Sequence, residues 1–370
     1  MNFWNYSGLD FRSKIGNMAQ VAGIQHYEFL DGKAKGVEAF GLRTGSGLEF
    51  TVLPGRGMDI AAMEYRGVPL AYQSKTGIVS PAYYESEGMG WIRSFFAGMM
   101  TTCGLMNVGG PSKQPHPVIG DRTYGLHGRI SNCAADQISC YEDWHAGTYV
   151  MRISGRMKEA VLHGESLSLR REIETAFGQS DFTIRDTVTN DSQYEQPFMI
   201  MYHINAGFPL LDESSLFYCL SDRVTPLSKE AEDKRSTIDQ CQPPRLGQKE
   251  LCYAHDLREN RHGVIRMAIV NPDLQLGLGL IYKKEDLPCF TQWKMFNERE
   301  YVLGLEPGNC LPMGIEDAKK TQKFGLLRPL ESKTIELTFA VLDGTEEIDS
   351  WIKQIHQPLQ DFSGEKEGLR

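Results

Sequence analysis

Gln292–Asn309 reads QWKMFNEREYVLGLEPGN. The pattern predicts one strand, a short polar turn and a second strand. The first is apolar and aromatic, with Phe290, Trp293 and Met295. The second, Tyr301-Val302-Leu303-Gly304-Leu305, ends in Glu306, followed by Pro307, Gly308 and Asn309. Proline sets its own φ and biases the residue before it toward extended geometry. Glu306 is therefore expected at the extended C-terminal tip of a buried strand. A carboxylate there is costly unless it is hydrogen-bonded or has chemistry to perform. On these residues alone a structural and a catalytic glutamate are equally open.

Outward from this pair the chain reads mostly as strands. Val37–Leu42 and Leu48–Leu53 flank the turn-rich Thr44-Gly45-Ser46-Gly47, as in a hairpin. Leu48-Glu49-Phe50-Thr51-Val52 alternates apolar and polar residues, as a half-buried strand does. Met58–Tyr65, Tyr149–Arg156, Ser166–Thr175, Phe182–Thr189, Pro197–Ile204, Gly263–Val270, Leu274–Tyr282 and Thr334–Leu342 are further expected strands. Between Tyr72 and Arg129 the pattern gives way to glycines, prolines and aromatics. An irregular stretch that aromatic is functional rather than disordered. Leu227–Leu251, rich in charge, reads as a surface excursion. A helix is expected over Thr345–Gln357, where Ile348, Trp351, Ile352 and Ile355 form one apolar stripe and Pro358 stops it. Many strands with one late helix imply an all-β sandwich or barrel. No composition break divides the 370 residues, so a single domain over 1–370 is expected.

A net charge of −9 argues against nucleic acid or an anionic membrane as partner. Residues 1–6 lack a basic start followed by an apolar run, so no signal peptide is expected, and no stretch is apolar enough to span a bilayer. The eight cysteines form no CxxC pair. Free thiols in a cytoplasmic protein fit better than a disulfide framework, and a zinc site lacks its spacing.

Of the nine histidines, His26, His145, His163, His255, His262 and His356 lie in polar or loop contexts. His116, between Pro115 and Pro117, marks a rigid loop. His127 lies in Gly125-Leu126-His127-Gly128-Arg129, where glycines let a backbone or a ligand approach closely. His203 ends the apolar run Met199-Ile200-Met201-Tyr202-His203-Ile204-Asn205, just before Gly207-Phe208-Pro209. Each of the two reads equally as a structural histidine or as a site residue.

Taken in order, Leu126-His127-Gly128, Tyr202-His203-Ile204-Asn205 and Leu305-Glu306-Pro307 resemble the three motifs of the aldose 1-epimerase (galactose mutarotase-like) superfamily. Leu53–Ile60, Trp91–Gly98, Thr102–Leu105, Gly125–Asn132 and Gln292-Trp293-Lys294 further resemble a bacterial subgroup carrying the DUF4432 domain. The resemblance implies a large β-sandwich (supersandwich) with an open carbohydrate cleft and one peripheral C-terminal helix. It implies His203 as general acid on the ring oxygen, Glu306 as general base on the anomeric hydroxyl and His127 as a sugar binder. Arg93 is the implied sugar-binding arginine, with Arg56 competing; Arg129, Trp293, Lys294 and Asn309 complete the candidates. Two departures stand out. Arg129 occupies the motif's second glycine, and the family's substrate-binding aspartate has no assigned counterpart between Phe208 and Phe290.

A histidine and a carboxylate suit anomer exchange at neutral pH, which needs one group to take the O1 proton and another to protonate O5. Neither metal nor cofactor is required. The expected partner is a small-molecule sugar; a homodimer is possible. Arg56, Arg93, Arg129 and Lys294 would favour an anionic sugar if they faced the cleft, and a neutral sugar is the equal alternative. A non-catalytic sugar-binding protein uses the same residues, and a lyase or hydrolase is the third reading. With His203 and Glu306 on opposite edges of a pyranose, the empty site should hold them several ångströms apart, with His127 lining the same space.

Overall fold

A computed structural model describes residues 12–356 except 116, 117 and 119. His116, Gln357 and the charged tail lie outside the described residues. The strands form two large antiparallel sheets. The twelve-stranded sheet runs, from one edge, through Gly23–Glu28, Glu38–Arg43, Leu48–Leu53, Asp59–Tyr65, Met100–Leu105 and Gln196–Gly207. It continues through Glu300–Gly308, Cys289–Asn297, Leu251–Leu257 and Ser221–Pro226, and the short Val68–Pro69 and Gly325–Leu327 pair with Asp59–Tyr65 and Gln196–Gly207. The eight-stranded sheet is ordered Leu216–Tyr218, Val264–Asn271, Leu276–Lys283, Ser332–Asp343, Asp181–Asn190, Ser166–Ala176, Thr148–Ala160 and Asp136–His145.

The sheets face each other as a sandwich, and alternation along each strand decides which side chains go inward. Phe50 of the larger sheet stacks on Phe182 of the smaller at 4.3 Å, and Phe182 on Phe339 at 4.8 Å. A buried polar cluster also spans the gap. Arg171 donates to both oxygens of Asp186 (2.8 and 2.6 Å) and to Asp59 at 3.1 Å. Thr102 donates to Asp59 at 2.6 Å, and Tyr202 to Asp186 at 2.8 Å. Burial pushes the Asp59 carboxyl up to about 6, against the pull of Arg171. Tyr202 thus faces the interior, and its chain neighbour His203 faces out of the sandwich.

The C-terminal helix Thr345–His356 packs on the outer face of the smaller sheet, its Trp351 indole donating to the Met267 carbonyl at 3.1 Å. Two short helices escape the sequence reading. Lys229–Asp233 sits in the charged excursion, capped by Ser228, and Ile315–Thr321 follows Gly314. Seven residues or fewer carry too little periodicity to be recognised. All eight cysteines are free, and no helix among the described residues is long and apolar enough to cross a membrane.

Candidate active site

The His203 and Glu306 strands are neighbours running antiparallel, with Ile204 opposite Leu305 and Met201 opposite Gly308. That register sets His203 directly across from Glu306. Facing cross-strand side chains start only about 5 Å apart, and His203 Nε2 lies 3.3 Å from Glu306 Oε1. Both are on the outer face of the larger sheet, each about 5% exposed. The Glu306 strand continues to Gly308, with Pro307 opposite Phe290, so Glu306 is inside the strand rather than at its tip.

The same alternation sends Trp293 and Met295 from the next strand, then Cys252 from the one beyond, to this face, and Glu250, just before that strand, joins them. Together they floor a cavity of about 500 Å³, ordinary for a small-molecule site. Its roof comes from the aromatic stretch that reads as irregular. Trp91 and Phe95 stack at 4.5 Å, and the Phe95 ring lies 5.1 Å from His203. His127 lies 4.7 Å from Trp91 and 6.0 Å from His203, ring centre to ring centre. The loop closes this tightly because of its glycines. A Cβ on Gly128 would fall 2.2 Å from the Gly104 carbonyl, and one on Gly125 2.4 Å from the Ser86 carbonyl.

Electrostatics follow from this enclosure. Burial, with a smaller contribution from the Glu250 charge, pushes the Glu306 carboxyl up to about 8. Burial lowers His203 to about 4 and His127 to about 3. At neutral pH the two histidines are uncharged and Glu306 is mostly protonated. His127 Nδ1 accepts from the Gly109 N–H at 3.3 Å, so its proton sits on Nε2 as a donor. Trp293 Nε1 donates to Glu250 at 3.0 Å, fixing the indole. Among the described residues no cluster of three or more His, Cys, Asp or Glu side chains is arranged to hold a metal ion.

The chain matches the family described as "Domain of unknown function (DUF4432)" over residues 34–341. It belongs to the DUF4432 family. A search of curated protein sequences finds no match. Among solved structures, the chain is similar to a "putative aldose 1-epimerase" of Klebsiella pneumoniae. There the identity is 24%, coverage is 95% of this chain and 91% of the other, and the TM-score is 0.85. It is similar to a galactose mutarotase-like protein of Clostridium acetobutylicum at 13% identity, covering 88% and 99%, with a TM-score of 0.59. A galactose 1-epimerase of Lactobacillus acidophilus matches at 13% identity, 88% and 100% coverage, and a TM-score of 0.57. These likenesses carry the fold: this DUF4432 chain is a galactose mutarotase-like β-sandwich.

Four of the sequence-read candidates meet in the cavity: His203, Glu306, His127 and Trp293. The others lie elsewhere. Arg56 is buried and donates to the carbonyls of Ser131, Val79 and Ser94, clamping three loop segments under the roof. Arg93 is largely exposed and pairs with Glu85 at 3.2 Å. Arg129 is half-buried and close enough to Tyr84 and Glu159 for its charge to act on both, outside the cavity lining. Lys294 faces away from Trp293, as its strand neighbour must, and donates to the carbonyls of Thr237, Ile238 and Gln240. Asn309 bridges the Ile200 N–H and the Phe198 carbonyl. Among the described residues lining the cavity no arginine occurs, and Lys75 is the one lysine, paired with Glu300. The expected gap between His203 and Glu306 is also absent. A hemiacetal carries O1 and O5 on one carbon, so two groups serving them can themselves be close.

Sequence reading missed Trp91 and Phe95 as roof, and Glu250, Met295, Lys75 and Glu300 as lining. Trp293 and Met295 share parity on one strand, so their common face was readable. Glu250 needed the pairing of the adjoining Leu251–Leu257 strand with the Trp293 strand.

Proposed function

We propose that this chain is a single-domain, cofactor-independent aldose 1-epimerase acting on an uncharged sugar. The observation that supports it is the 3.3 Å contact of His203 Nε2 and Glu306 Oε1 on the floor of an aromatic-walled cavity. At rest both groups are uncharged. Passing the Glu306 proton to His203 Nε2 makes a carboxylate–imidazolium pair of the same net charge, so burial opposes it less than a lone charge. In that form the pair has one base and one acid side by side. His203 gives its proton to O5 as the C1–O5 bond breaks. Glu306 takes the O1 proton as C1 becomes the aldehyde carbon. After rotation about C1–C2 the two transfers reverse and leave the other anomer. His127 Nε2–H donates to a sugar hydroxyl. Glu250, with one oxygen held by Trp293, accepts from another, in the part of the chain where the family's aspartate is expected.

Anomer exchange followed by NMR tests this reading. Glu306→Gln and His203→Asn should each slow exchange by about 10²–10⁴-fold while changing sugar affinity little. The double variant should be scarcely slower than either single one, because the pair acts as a unit. Exchange at the wild-type rate in Glu306→Gln rules the mechanism out. Binding without exchange in the wild type points instead to a sugar-binding protein.

A further inference from the structure

The cavity is longer than its catalytic end needs. Glu306 and Glu300 belong to one strand, and both line it, as does Val302 between them. At about 3.3 Å of rise per residue, the floor extends on the order of 20 Å. A pyranose seated on His203 and Glu306 leaves the Glu300 end open. The two ends are continuous. A Cβ on Gly304 would lie 2.9 Å from Glu306 Oε1 and 3.0 Å from the Trp293 ring, so glycine lets the indole pack close to the floor beside the pair.

The far end is built rather than merely empty. Tyr72, half-buried, and Met295 offer apolar surface, with Val302 beneath. Glu300 is held on both oxygens, one by Lys75 and the other by Asn297 Nδ2 at 2.9 Å. The ammonium has three donors, so Lys75 retains N–H groups for hydroxyls while its charge is already met by Glu300. Ser74 and Thr76 line the same wall. Such an end suits a second uncharged, hydroxyl-bearing ring with one apolar face.

We propose that the cavity takes a reducing disaccharide, its reducing residue at His203 and Glu306 and its second residue among Tyr72, Lys75 and Met295. The first half of this assignment rests on the epimerase reading above; the second half rests on the cavity alone.

Exchange rates on glucose, galactose, maltose, cellobiose, lactose, isomaltose and melibiose test it, with wild type, Tyr72→Ala and Lys75→Ala. At least one disaccharide should exceed both monosaccharides in kcat/KM by about tenfold, and each variant should cut that ratio severalfold. Lys75 is mostly exposed, so its variant keeps the fold. Calorimetric binding of the same sugars to Glu306→Gln separates the two readings. Tighter disaccharide binding without exchange in the wild type rejects the epimerase and keeps the long site. Monosaccharide exchange with no disaccharide preference keeps the epimerase and overturns the long site. Failure of every sugar to bind overturns both.

Discussion

Replacing Glu306 by glutamine should alter how stability depends on pH. The carboxyl is 4% exposed, and burial raises its folded value from 4.5 to about 8. The folded state thus holds this proton more tightly than the unfolded chain does. The resulting stability is complete below 4.5 and is lost as pH rises to about 8. At about 1.4 kcal/mol per unit, the loss is on the order of 5 kcal/mol, reduced by whatever His203 recovers as a charged partner of the carboxylate. Glutamine does not titrate, so the variant lacks this slope. His203 and His127 work the other way. Their folded values are lowered to about 4 and about 3, so their contribution is present above 6.5 and lost as pH falls through those values. Both proteins carry His127, so its contribution cancels in the comparison; His203 cancels only while it stays neutral, and its pairing with the ionised carboxylate in the wild type is what reduces the loss. Denaturant unfolding near pH 5 and near pH 9 should show the stability difference moving several kcal/mol in the variant's favour at the higher pH. Parallel curves would refute the reasoning, because Glu306 would then be ionised in the folded protein throughout.

Gly304→Ala should slow anomer exchange sharply at a stability cost of about 1–3 kcal/mol, since its Cβ meets Glu306 Oε1 at 2.9 Å; unchanged kinetics contradict this. Arg56→Met leaves three enclosed carbonyls without their donor and should destabilise by about 3 kcal/mol or more, as read by chemical unfolding; a loss near zero means water replaces the guanidinium. Asp186→Ala strips Arg171 and Tyr202 of their shared partner and should cost about 3–5 kcal/mol, measured in the same way. Galacturonate should bind no better than galactose at low salt, because Lys75 is already paired; a salt-sensitive preference for the uronate would place a free cation in the cavity.

Local pattern carried much of the fold. Leu48–Leu53 was legible to the residue because its alternation has one wet face, and the Thr345 helix because its apolar stripe and stop signal are local. Met100–Leu105 was not. It is buried on both faces, sits among glycines and shows no alternation, yet it pairs with the His203 strand. Asp136–His145 was missed for the opposite reason, being a mostly exposed edge strand with no apolar face.

At the site, chain order and residue type singled out His203, Glu306 and His127, because polar groups in apolar runs beside glycine or proline stand out locally. The arginines misled, since proximity to a motif along the chain says nothing about where a long flexible side chain ends. Arg56 satisfies carbonyls, Arg93 reaches solvent and Lys294 takes the opposite face of its strand. What only the tertiary structure decided is the register that sets His203 across from Glu306, and the roof that dries them. Register and burial depend on residues about a hundred positions apart, and it is burial that leaves the acid protonated and the histidines neutral.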